Sequence, residues 1–164
     1  MEEGDALPTA LRPAGAMRAL LQKSPPAYLP AKLRARVLFY FEERPNWDGV
    51  VTVDGAGVHH WIHVSAGEAI SMMGCLTPRL IADLAGAETP DMTALSDTLS
   101  RPERLAAQLR SAQVAGDAAA ITGHLVGAEL AAAKVYWLGQ EVVLLGQGPY
   151  TEALSFQGVF VTTP

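Results

Sequence analysis

Four short stretches carry residue types able to do chemistry. The first is Asp54-Gly55-Ala56-Gly57, set between two β-branched runs. A carboxylate beside glycines suits a loop that holds a phosphate or Mg²⁺ against backbone N–H groups. Asp-Gly between two strands is equally the signature of an ordinary hairpin turn. The second stretch holds His59, His60 and His63. Strand alternation puts His59 and His63 on one face with Trp61, and His60 on the other. Residues four apart on a strand lie about 13 Å from one another, too far to share an ion. No cysteine or carboxylate at ligand spacing joins them, so no metal site is expected. The third is Cys75, which as a nucleophile would need a base and an orienting group; without such a signature it reads as a packed thiol. The fourth, Gly146-Gln147-Gly148, follows an apolar run. It either lets backbone approach an adenosine or simply lets the chain turn.

The elements that must position these groups follow from periodicity and punctuation. Residues 1–30 hold five prolines (Pro8, Pro13, Pro25, Pro26 and Pro30) and predict an extended Pro-rich arm with a short helix over Ala14–Gln22. Pro30 suits the first turn of a helix over Ala31–Glu43, with Leu33, Val37 and Phe41 on its buried face. Val50–Val53, Val58–Val64 and Ala69–Met73, joined by tight turns, predict an antiparallel three-strand meander. The period then changes. Helices are expected over Leu76–Ala85, Arg101–Gln113, Ala118–Trp137 and Tyr150–Phe156, and strands over Glu141–Leu145 and Val159–Thr162. Gly86–Ser100 is ambiguous. On the long helix, Gly123, Gly127 and Glu129 read as packing positions, with Glu129 at a polar edge. A meander followed by helix-linked strands implies a mixed sheet with flanking helices in one α/β domain over residues 31–164.

Composition bounds the function. The 164 residues include 12 Lys and Arg against 17 Asp and Glu, a formal net charge of −5. This acidic balance excludes a protein that grips a phosphate backbone through a basic face. The aromatic residues lack the basic interleaving of a base-stacking surface. Hydrophobic residues are 49% of the chain, enough for a real core. One cysteine allows no internal disulfide. The acidic start is no secretory signal, and the most apolar stretch, Ala118–Leu138, carries His124, Glu129 and Lys134, which argues against a bilayer span. A cytoplasmic protein with no nucleic-acid or membrane partner is expected.

The order of elements resembles the ribonuclease-H-like half-domain of actin-like ATPases, and the sequence resembles the 2-dehydro-3-deoxygalactonokinases. Asn46-Trp47-Asp48-Gly49-Val50-Val51, Trp61 to Glu68, Leu76-Thr77, Gly123 to Ala133 and Val142 to Gly146 carry the match. The resemblance covers roughly Ala31 to Val161 and corresponds to the family's C-terminal lobe. It implies ATP-dependent phosphorylation of 2-dehydro-3-deoxygalactonate with Mg²⁺. It also implies nucleotide contacts from Asp54, Gly55, Gly57, His59 and His60 in one loop and Gly146, Gln147 and Gly148 in the other. Family members have two half-domains, and the Asp-x-Gly-Thr/Ser phosphate loop of the other half has no counterpart in residues 1–45. Where the family carries a Gly-Thr-His-Ser-Lys-like loop before the Trp, this chain has Asp54 to His60, without the hydroxyls. Pro78 stands where the family tends to place Gly. Weak or absent nucleotide binding is therefore expected, with no phosphorylation by the lobe alone. A lone half-domain would expose apolar surface, so a homodimer or a complementary kinase lobe is the expected partner. The alternative is a non-catalytic binding or regulatory module, one that takes a sugar acid or a protein.

Overall fold

The β-branched runs around Asp54 form the centre of the fold. In a computed structural model, which describes residues 3–164, the chain begins with β1 (Gly4–Ala6), β2 (Thr9–Ala10), β3 (Ala19–Lys23) and β4 (Pro26–Leu29). Helix α1 (Ala31–Phe41) leads to the meander β5 (Asp48–Gly55), β6 (Val58–Ser65) and β7 (Glu68–Cys75). There follow α2 (Thr77–Asp83), α3 (Met92–Ser100), α4 (Leu105–Ala115), α5 (Ala118–Ala132), α6 (Lys134–Trp137), β8 (Val142–Leu145), α7 (Tyr150–Phe156) and β9 (Val161–Thr162). Both meander turns place an alanine and then a glycine at positive φ, Ala56-Gly57 and Ala66-Gly67. That is the backbone whose twist suits a two-residue hairpin. No helix among the described residues is long and apolar enough to cross a membrane.

A six-stranded mixed sheet runs in the order β2-β7-β6-β5-β8-β9. β5, β6 and β7 are antiparallel neighbours, while β8 lies parallel to β5 and β9 parallel to β8. Strand alternation sorts the side chains. Val51, Val53, Ile62, Val64, Met72 and Val143 face a core completed by α1 and the N-terminal strands. Val50, Trp61, Val142 and Leu144 face the helices α3, α5 and α7. Helix α5 approaches α3 so closely that a Cβ on Gly123 or Gly127 would overlap a carbonyl oxygen of Asp91 or Leu95. The helix expected over Ala118–Trp137 is interrupted at Ala133, where ψ moves to 7° and α6 begins.

The N-terminal segment departs from the sequence reading. Its backbone is extended, but it is not a free arm, and no helix forms over Ala14–Gln22. β1, β3 and β4 make a three-stranded sheet, β2 pairs with β7, and Leu11, Leu20 and Leu29 are fully buried. The prolines act as punctuation: Pro25 and Pro26 force the turn that folds β4 back on β3. The strand periodicity of Ala19–Lys23 then wins, because Leu20 can reach the core only from an extended chain.

Arg34 fastens this segment to α1. Its side chain is wholly buried, and it donates from Nε to the Leu11 carbonyl (2.9 Å), from Nη2 to the Ala10 carbonyl (2.7 Å), and from Nη1 to Asp5 (2.6 Å) and the Arg18 carbonyl (3.0 Å). Replacing it, Arg34→Met, takes the donor from three carbonyls and leaves Asp5 only its longer contact with Arg18 (4.0 Å). The expected loss is about 3–5 kcal/mol in urea unfolding, with an N-terminal segment that becomes protease-sensitive before the rest of the chain.

Candidate functional site

β5 and β8 run parallel, so their carboxyl ends lie side by side. One delivers Asp54 and Gly55, the other Gly146-Gln147-Gly148. The crevice outside the carboxyl ends of parallel strands is where open α/β sheets take ligands. Here Thr52, Asp54, His59, Leu144, Gly146, Gln147, Gly148, Tyr150 and Thr151 enclose a narrow cavity of about 10 Å³. It adjoins a hollow of about 180 Å³ bounded by Asp54, Pro78, Glu88, Gln147, Gly148 and Tyr150, among others. A Cβ on Gly146 would overlap Asp54 Oδ1, so any larger residue there would displace the Asp54 carboxylate. Of the residues singled out in the sequence, Asp54, His59, Gly146, Gln147 and Gly148 thus come together.

The other three do not join them. Gly55 lies on the far side of the hairpin, along a groove of about 470 Å³ lined by Pro30, Lys32, Leu33, Arg36, Asp54 and Ala56. Gly57 is a turn residue whose carbonyl accepts from the Arg79 N–H (3.2 Å). His60 points to the opposite face from His59, as strand alternation requires, and is buried with Nδ1 unpartnered among the described residues. No group of three His, Cys, Asp or Glu among the described residues is gathered to hold a metal.

Behind the cavity lies a buried cluster centred on Glu129. His59 donates from Nδ1 to its Oε1 (2.6 Å), Trp61 from Nε1 to the same oxygen (2.8 Å), and Tyr150 from its hydroxyl to Oε2 (2.9 Å). Thr77 adds a further side-chain hydrogen bond. Burial alone would push this carboxyl up; the bond to His59 and its charge, then Thr77 and Trp61, reverse that and hold it below the usual carboxylate range. Burial, with the Glu129 charge beside it, raises the Tyr150 phenol well above its ordinary value. The same two causes push the Cys75 thiol up to about 12, so it stays protonated and unreactive at neutral pH.

Glu129 is therefore not at a polar edge of its helix, as the sequence suggested, but sealed in the interior. Trp61, Thr77, Tyr150 and Thr151 were also missed as site residues. A signal did exist: Glu129 is the only charged side chain in the fifteen-residue α5 apart from the titratable His124. A lone carboxylate in such a helix has to find donors elsewhere in the fold.

No protein-family model and no curated protein matches the chain. Among solved structures it is similar to a crystal structure of a Sinorhizobium meliloti protein, provisionally described there as a 2-dehydro-3-deoxygalactonokinase. The two share 21% identity at a TM-score of 0.80, over 98% of this chain and 68% of that one. The likeness shows the fold: a mixed α/β architecture shared with that protein.

His60 makes stability pH-dependent. Burial and the neighbouring His59 lower its pKa from 6.5 to about 4, against smaller opposing effects of Asp54 and Glu129. The unfolded chain then binds the proton more readily than the folded one. Stability is complete above pH 6.5 and falls as the pH drops toward 4, by up to about 3 kcal/mol. Urea unfolding across that window should show the slope, and His60→Leu should flatten it, since that change also removes an unpartnered buried nitrogen.

Proposed function

We propose that this chain is a phosphate-handling lobe of an actin-like phosphotransferase. Its core is a ribonuclease-H-like sheet, and the fold supports this in that three antiparallel strands are extended by two parallel ones, β8 and β9. The observation that carries the functional reading is the meeting of the Asp54 turn and the Gly146–Gly148 loop in one crevice, although they lie some ninety residues apart. Glycines in both loops bring backbone close to a ligand. The Asp54 carboxylate offers a hard oxygen of the kind Mg²⁺ takes alongside phosphate oxygens. When bound, Mg²⁺ would offset the charge of the nucleotide phosphates; the chain's own part is to orient them with the loop backbone and Asp54.

The acceptor in this reading is a sugar acid of the 2-dehydro-3-deoxygalactonate kind. The groove along α1 supports it. Lys32 and Arg36, exposed and one helical turn apart, line one wall and suit a carboxylate. Asp54 borders both the groove and the cavity, so acceptor and phosphate would meet at the hairpin tip.

A second reading, a module that works by association, is supported by a different surface. Leu138 and Phe160 are largely exposed and flank a hollow of about 420 Å³ between the end of α6 and β9. Apolar patches of this kind are normally covered, by a second copy or a complementary lobe, and light scattering of the purified chain should then give a mass above that of one protomer.

Calorimetric titration tests the first reading. Saturable Mg-ATP binding at millimolar concentration is expected, weakened at least tenfold, or about 1.4 kcal/mol, by Gly146→Val or Asp54→Ala. The double change Lys32→Ala with Arg36→Ala should weaken the sugar acid and leave the nucleotide unaffected. A folded wild-type chain that gives no heat with either ligand overturns the reading.

A further inference from the structure

Three polar side chains share one face of the sheet at the end of β5 away from the crevice. Asp48, His63 and Ser71 come from β5, β6 and β7, three adjacent antiparallel strands. Six residues of strand, about 20 Å, separate Asp48 from Asp54. Ser71 lies directly opposite His63, while Asp48 lies on the diagonal, since Val50 faces His63 across β5. His63 donates from Nε2 to Asp48 Oδ1 (3.2 Å), because a carboxylate only accepts. In the neutral ring Nδ1 then keeps the lone pair.

That division of the two nitrogens suits the register. Nε2, at the outer end of the ring, reaches the diagonal carboxylate. Nδ1 sits two bonds from Cβ, and a directly opposed serine has its own Cβ about 5 Å away, within reach of a hydroxyl on that nitrogen. The Ser71 hydroxyl has no hydrogen bond among the described residues, and in catalytic pairs this bond often closes only around substrate. The ladder also bulges here: His63 pairs with Ser71 and Val64 with Ala69, which leaves Ile70 over. Bulges re-aim the side chains beside them and recur next to active sites. His63 and Ser71 line a hollow of about 230 Å³ beneath α6, with Val50, Val135, Tyr136 and Gln140. The two valines give apolar walls for a short acyl chain. The Tyr136 hydroxyl and the Gln140 amide are donors of the kind that hold an oxyanion.

We propose that this hollow is a second site, which hydrolyses small carboxylic esters with Ser71 as nucleophile and His63 as base. Asp48 is the positioning residue that fixes the ring. Ser71 Oγ bonds to the ester carbonyl carbon as its proton passes to Nδ1 of His63. The bond from that carbon to the alkoxy oxygen breaks, and the alcohol leaves with the proton. Water then attacks the acyl-serine, giving a proton to Nδ1, which passes it to Oγ as the carboxylic acid departs. None of these steps uses the crevice, so the site stands or falls independently of the nucleotide reading.

Two probes test it on the full chain, in mildly alkaline buffer where free imidazole is neutral. A small alkyl fluorophosphonate labels activated serines and spares ordinary hydroxyls. Peptide mass spectrometry of the wild type should place the label on Ser71, a readout that needs no variant to fold. Labelling should slow at least a hundredfold in His63→Gln. It should also slow in Asp48→Asn and recover in part in Asp48→Glu. Hydrolysis of p-nitrophenyl acetate should fall at least tenfold in Ser71→Ala, with the urea midpoint unchanged. A wild-type Ser71 that takes no label, labelling unaffected by His63→Gln or Asp48→Asn, or undiminished hydrolysis by Ser71→Ala overturns the inference.

Discussion

A single ionised carboxylate in the interior sets the geometry of the crevice. Burying the Glu129 charge would cost several kcal/mol if its oxygens were left bare. The cost is offset by donors drawn from β6, α2 and α7. Each of those elements is therefore tied to α5 at one point, and the tie is directional. His59 and Trp61, two residues apart on β6, reach the same oxygen because a strand returns to the same face at every second residue. Tyr150 takes the other oxygen, which fixes where α7 begins and hence where the Gly146–Gly148 loop must end. The crevice is narrow because its back wall is held by bonds that have no slack.

Much of this was legible in the sequence, and the reasons differ from element to element. The meander could be read because β-branched runs, Gly-containing turns and period-two alternation all agree, although the first turn falls at Ala56-Gly57 and Asp54-Gly55 end β5. Helix Tyr150–Phe156 matches its expected limits because Pro149 and Gly158 punctuate both ends. Met92–Ser100 was obscure for the opposite reason. It is capped by Asp91, whose side chain accepts from the Ala94 N–H, but its interior mixes serine and threonine with leucine, so propensity pointed nowhere. The N-terminal strands were misread because five prolines look like a linker until Leu11, Leu20 and Leu29 are seen to share one core. The partners of Glu129 were hidden by distance. They lie 21 to 70 residues away along the chain, and no local pattern records a contact of that span.

The likeness to a solved structure at 21% identity fits the same distinction. Strand order and hydrophobic alternation survive wide sequence change, because a one-residue slip would turn every core side chain outward. Loop chemistry is under no such constraint. The tip of the Asp54 hairpin can change its side chains while β5 and β6 keep their register.

The pairing of Thr9 and Ala10 with β7 has a consequence for the protein's solubility. β7 is eight residues long, and only Glu68 and Ala69 at its start are covered by β2. The N-terminal sheet is packed across the face beside it, with the Gln22 side chain bonded both ways to the Met72 backbone. These residues occupy N–H and C=O groups that an outer strand would otherwise present to another chain. Residues 3–30 thus guard the sheet margin against intermolecular strand addition. A chain clipped ahead of α1 would uncover Ile70 to Met73 as a template for such pairing, and its failure would show as precipitation rather than as a cooperative melt.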